Sequence, residues 1–145
     1  MLAACFSDLV YHVVVVTSQR RPFLVPPLSN DLTRHVSSIL RDHGGELIEA
    51  AALPDHLHLL LRLGTEHSLA AAIALVKTTS AARLRRAANG GGFAWQPGFA
   101  AFTVGAGELV GAIHGLRGQD RRHRNHTLTH ELLGLAQHHR VRAPT

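Results

Sequence analysis

The segment Leu53-Pro54-Asp55-His56-Leu57-His58-Leu59-Leu60-Leu61-Arg62-Leu63 constrains this chain more than any other. Read as a strand, it puts Leu57, Leu59, Leu61 and Leu63 on one face of a sheet and His56, His58 and Leu60 on the other. One face is then core and the other is chemistry. Two imidazoles two residues apart on a strand can converge on one divalent cation, because neutral imidazole is a common metal ligand. In a chain with 12 histidines, an H-x-H pair also arises by chance. From this segment alone, half-exposed strand histidines remain the competing reading.

The flanking chain supplies the elements that such a strand needs. Val10 to Thr17 is rich in β-branched residues and predicts a buried central strand, ended by Ser18-Gln19-Arg20-Arg21-Pro22. Leu32, Val36, Ile39 and Leu40 recur at helical spacing up to Gly44-Gly45, which stops that helix. Glu46 to Leu53 predicts a second strand. The shortness of Pro54-Asp55 makes it antiparallel to the third, His56 to Leu63. Ser68 is the candidate N-cap of a second helix with Leu69, Ala72, Ile73, Val76 and Leu84 on its apolar stripe. After a break at Asn89 to Gly92, Phe93 to Phe99 holds three of the seven aromatics, to close the core or to stack on unpaired bases; packing is the preferred reading. Ala100 to Val104 predicts a fourth strand. Glu108 to Gln119 predicts a third helix with Leu109, Ala112, Ile113 and Leu116 inward, weakened by Gly111, Gly115 and Gly118. A basic tract from Asp120 to His126 precedes a last amphipathic helix that starts at Thr127 or Thr129 and carries Leu128, Leu132, Leu133 and Leu135.

Composition excludes more than it assigns. A length of 145 residues suits one domain, 1-145, with a core at about 8-120 and a basic tract and helix at 121-145. Apolar runs such as Val13 to Val16 are too short to span a bilayer, and the first residues lack the pattern of a signal peptide, so a cytoplasmic protein without a membrane partner is expected. Cys5 is the single cysteine, which excludes an internal disulfide and a cysteine-rich zinc site and leaves a buried or idle thiol. The net charge of +5 favours a polyanionic partner, although 14 of the 15 cations are arginine, a bias that high genomic GC content also produces.

Taken in order, Tyr11-His12-Val13-Val14, Gln19-Arg20-Arg21-Pro22, Gly44-Gly45-Glu46, Pro54-Asp55-His56-Leu57-His58-Leu59-Leu60, Lys77 with Ser80, Phe93-Ala94-Trp95-Gln96-Pro97-Gly98-Phe99, and Gln119 with His123-Arg124 resemble the single-tyrosine HUH transposases. These are small transposases of bacterial insertion sequences and their repeat-associated relatives. The resemblance runs roughly from Tyr11 to Leu135. It implies an α/β (α+β) ferredoxin-like fold with a four-stranded antiparallel sheet, a homodimer, and action on single-stranded DNA with hairpin structure. It also implies a divalent metal, Mg or Mn, held by two histidines and a glutamine. A tyrosine one helical turn before that glutamine attacks the scissile phosphate and leaves a 5′-phosphotyrosine intermediate.

Carried across residue by residue, the resemblance makes His56, His58 and Gln119 the metal ligands. The expected nucleophile falls at Gly115, so the tyrosine is missing. Tyr11, the only tyrosine, reads as a packed strand residue. His114 is turned about 100° away from the required direction on a helix. His12 shares the face of the histidine pair if the first and third strands are neighbours, as a group supporting the metal ligands or as a plain strand residue. Candidate DNA contacts are Arg20, Arg21, Lys77, Arg83, Arg121 and Arg122. Three functions follow: a transposase-like DNA-hairpin binder with a metal site that is defective in tyrosine-dependent cleavage and strand transfer, a metal-dependent nuclease using water, or a non-catalytic nucleic-acid-binding module.

Overall fold

The β-branched run after Tyr11 forms the strand on which the sheet is built. Strand β1 (Leu9–Val16) pairs antiparallel with β3 (His56–Leu63) on one side and with β4 (Ala100–Val104) on the other, and β2 (Gly45–Leu53) pairs antiparallel with β3. The strand order is β2-β3-β1-β4. This computed structural model describes residues 5–87, 91–119 and 127–141. Helix α1 (Leu28–Asp42) joins β1 to β2, and α2 (Leu69–Arg86) joins β3 to β4. The result is the expected ferredoxin-like arrangement, a four-stranded antiparallel sheet with helices packed on it. Helices α3 (Leu109–Arg117) and α4 (Leu128–His138) follow. Among the described residues, no helix is long and apolar enough to cross a membrane.

Strand alternation divides the molecule. Val13 and Val15 of β1 and Leu57, Leu59, Leu61 and Leu63 of β3 face α1 and α2 in the main core. Val10 and Leu60 face the other way, toward Leu116 of α3. On β2 a register shift between Leu47 and Glu49 moves the parity, so Leu47, Ala50 and Ala52 reach the main core while Ile48 and Ala51 reach the second.

Helix boundaries follow local chemistry. Ser68 caps α2 by accepting a hydrogen bond from the Ala71 N–H at 3.3 Å. Gly44, past the end of α1, adopts φ +82°, and a Cβ there would collide with the His67 ring. The third helix is shorter than the sequence suggests. After one 3-10 turn (Ala106–Glu108), α3 runs only to Arg117, and Gly118 ends it with its N–H on the His114 carbonyl at 3.1 Å. Leu116 is buried, whereas Leu109, Ala112 and Ile113 are only partly so.

The Phe93 to Phe99 loop packs, as preferred. Phe93 meets Phe23 and Trp95 edge-on, with ring centroids 5.3 and 4.9 Å apart, and Trp95 Nε1 donates to Ser80 Oγ at 3.0 Å. Phe99 remains exposed. Cys5 is exposed rather than buried.

Candidate functional site

Strand β3 carries His56 and His58 to one face, two residues apart, with ring centroids 5.0 Å apart. Both are buried, at 1% and 0% exposure, so half-exposed strand histidines are ruled out. Each ring is oriented through its Nδ1. His56 Nδ1 lies 2.6 Å from Asp55 Oδ1. An ionised carboxylate only accepts, so this nitrogen carries the proton and Nε2 presents the lone pair. His58 Nδ1 lies 2.9 Å from His12 Nε2. The expectation that His12 shares this face is met, because β1 and β3 are neighbours in the sheet.

Asp55 is itself anchored. Arg20 donates to Asp55 Oδ2 through Nε at 3.1 Å and approaches it through a terminal guanidinium nitrogen at 3.0 Å. Burial works against the charge on Asp55, but hydrogen bonds from His56 and Arg20 and the charge of Arg20 outweigh it and hold the carboxyl below its ordinary range. Gln19 and Arg20 both adopt φ near +54°. Non-glycine residues in this left-handed region cost on the order of 1–3 kcal/mol each, and the strained turn is what aims Arg20 at Asp55.

The structure brings a residue to the site that sequence reasoning missed. Glu131 of α4 is buried. Its Oε1 accepts from Gln119 Nε2 at 2.6 Å, and its Oε2 lies 3.5 Å from His58 Nε2. One ligand-type atom from each of His56, His58 and Glu131 falls within 4.8 Å of the other two. Gln119 is 2% exposed and joins the group through Glu131; its Oε1 is buried with no hydrogen-bond partner among the described residues. Two imidazoles with fixed Nδ1 atoms, a carboxylate and a buried amide oxygen form a donor set that suits a divalent cation. The sequence did hold a signal for Glu131. It sits three residues after Leu128 and four before Leu135, a carboxylate on the inward stripe of an amphipathic helix.

Beside this group lies a cavity of about 540 Å³ lined by His12, Leu60, Gly111, Gly115, Gln119 and His139, among others. Gly115 contributes no side chain to it. Tyr11 lies on the opposite face, packed against the main core.

The candidate DNA contacts have intramolecular partners. Arg83 forms two hydrogen bonds with Asp31, at 2.8 and 2.9 Å, and Lys77 donates to the Gln96 and Gly98 carbonyls at 2.7 and 2.8 Å. Lys77 therefore clamps the aromatic loop. Arg21 donates to the neutral Gln19 side chain at 3.2 Å. Arg121 and Arg122 lie outside the described residues.

Comparison with known proteins gives these features a context. A family model described as IS200-like transposase matches residues 5–113. The ISDra2 transposase TnpA of Deinococcus radiodurans is 28% identical over 103 residues, covering 67% of this chain and 74% of that protein. Two solved structures share the fold. One is a candidate transposase from Deinococcus radiodurans R1, with a TM-score of 0.65, 24% identity, and coverage of 82% of this chain and 96% of that one. The other is a REP-associated tyrosine transposase bound to a REP hairpin, with a TM-score of 0.62, 16% identity, and coverage of 85% and 74%. The family match ends two residues before Gly115, so neither Gln119 nor Glu131 falls within it.

Proposed function

The chain belongs to the IS200-like transposase family, and from that premise we propose that it binds single-stranded DNA hairpins with a divalent metal, Mg or Mn, but does not carry out tyrosine-dependent cleavage and strand transfer. The observation that supports this reading is a buried histidine pair with both rings oriented, beside a cavity lined by Gly115, the position that the resemblance gives to the nucleophile. His56, His58 and Gln119 would hold the ion. When bound, a divalent cation there would polarise a scissile phosphate oxygen.

The chain's own residues prepare the site in three ways. Asp55 fixes the His56 tautomer, and Arg20 fixes Asp55. His12 orients His58 from the neighbouring strand. Gly115 adds no side chain to the adjacent cavity, so in this reading the tyrosine that would form a covalent bond to phosphorus is absent there. The other DNA contacts in this reading are Arg20, Arg21, Lys77, Arg83, Arg121 and Arg122. Arg21 heads them because its guanidinium is held by a neutral side chain. Two copies are expected to assemble as a homodimer.

A labelled single-stranded hairpin, incubated with the protein and Mn or Mg and resolved on a denaturing gel, tests the reading. The natural chain should bind the hairpin, with affinity falling steeply as salt rises, and should give neither cleavage nor a protein-linked band. A Gly115→Tyr variant should restore the linked band. Metal-dependent cleavage by the natural chain, lost in His56→Ala, would overturn the reading in favour of a hydrolytic nuclease.

A further inference from the structure

We propose that Glu131 is the anionic ligand of this metal site, and that metal uptake fastens α4 over the sheet. The inference rests on the metal reading above and extends it to a residue outside the family match.

Three observations on Glu131 converge. First, it is a carboxylate at 9% exposure on the inward stripe of α4, next to buried Leu128. Second, its two oxygens are used differently. Gln119 holds Oε1 at 2.6 Å, which leaves Oε2 turned to His58 Nε2 at 3.5 Å. That separation is close to the roughly 3.0–3.4 Å between two atoms each ~2.1 Å from one cation, so a small adjustment would let both ligate a common ion. Third, His56 and His58 both have Nδ1 engaged, so each ring would ligate through Nε2, the atom His58 presents to Glu131.

Gln119 then has two roles. Its N–H orients Glu131, and in the metal reading above its Oε1 serves as a ligand. The carboxylate adds the negative charge that an amide oxygen lacks, which matters most for a hard cation such as Mn or Mg.

The consequence for α4 follows from what else holds it. Of its leucines only Leu128 is buried; Leu132 and Leu135 are partly so, and Leu133 is 59% exposed. Among the described residues its other contacts with the body include His138, 3.5 Å from Glu108, and, just past the helix, His139, stacked on Phe102 at 5.0 Å. With one leucine fully buried, the helix has a modest apolar anchor, to which the Glu131 contact adds a polar one. An ion bound by Glu131 on α4 and by His56 and His58 on β3 ties the two elements together.

The test uses the full chain and Mn alone as probe. Isothermal titration gives affinity, and hydrogen exchange of the Leu128–His138 amides is followed in Mn and in chelator. Mn should slow exchange in α4 of the natural chain while β3 amides stay as they are. Glu131→Gln keeps the size and the Gln119 contact; it should weaken Mn binding on the order of 100-fold, at the upper end of what losing a supporting partner costs, and abolish the Mn effect on α4. Glu131→Asp should recover part of both. Equal Mn affinity in Glu131→Gln and the natural chain would overturn the proposal and leave His56, His58 and Gln119 as the metal site. Exchange in α4 that does not respond to Mn would overturn the fastening. No Mn binding by the natural chain would overturn the metal reading along with it.

Discussion

Helices α1 and α2 cover one face of the sheet mostly with apolar side chains, whereas α3 and α4 cover the other with a mixture of leucines, histidines and a carboxylate. Among the described residues, the first face gathers eighteen buried hydrophobic residues in one cluster; the second has a cluster of three, Val10, Leu60 and Leu116, with Val14 and Phe102 also buried on it, beside His56, His58, Gln119 and Glu131. Apolar burial stabilises at about 25 cal/mol per Å² without needing any particular partner. Buried polar groups do so only when their partners are in place. The first face is therefore self-sufficient, and the second depends on its polar contacts and on what it binds.

The largest expected effect breaks the self-sufficient face. Leu59 is fully buried between α1 and α2, so Leu59→Ala should cost about 3–5 kcal/mol in urea unfolding. Leu116→Ala, next to an existing cavity and a small cluster, should cost about 2 kcal/mol or less. Equal costs would erase the distinction between the faces.

The next effect is specific to the second face. Asp55→Asn weakens the carboxylate that orients His56, and should lower Mn affinity by roughly 10–100-fold, the usual cost of losing such a support. Its urea midpoint should move less than that of Leu59→Ala. A fall in stability as large as that of the leucine variant, with Mn affinity intact, would mean that Asp55 serves the fold and not the site.

What could be read in the sequence divides along the same line. The leucines and histidines of β3 are local, and strand alternation assigns each to a face without knowledge of the rest of the chain. His12 needed one further step, the adjacency of β1 and β3, which the strand order supplies. Glu131 needed the docking of α4, 73 residues beyond His58, and its stripe reads as an ordinary surface helix because Leu132 and Leu133 mask the inward line of Leu128, Glu131 and Leu135. The arginines show a different limit, since composition cannot show which of them has a partner in the folded chain. Composition counts Arg20 and Arg83 as positive surface, while Asp55 and Asp31 offset their charge in the folded chain. The end of α3 at Arg117 turned on Gly118, whose role as a helix stop competes with the helical spacing from Leu109 to Leu116.

The smallest effect tests whether the apolar face gains anything from charge. Asp31 on α1 accepts two hydrogen bonds from Arg83 on α2, and this clip joins the helices over the main core. The Arg83 hydrogen bonds, aided by the fields of Arg83, Arg34 and His35 and opposed by burial, hold the Asp31 carboxyl below its ordinary value of 3.8. A depressed carboxyl contributes stability that is fully present above its unfolded value and is lost as pH falls through the folded one. The natural chain should thus be slightly more stable than Asp31→Asn near neutrality, and the gap should close below about pH 4. High salt should narrow it further, because both side chains are solvent-exposed. Urea midpoints at pH 6 and pH 3, in low and high salt, measure this directly. A gap that persists at pH 3, or one comparable to the loss in Leu59→Ala, would mean that α1 and α2 are held by more than their apolar faces, and the contrast between the two sides of the sheet would narrow accordingly.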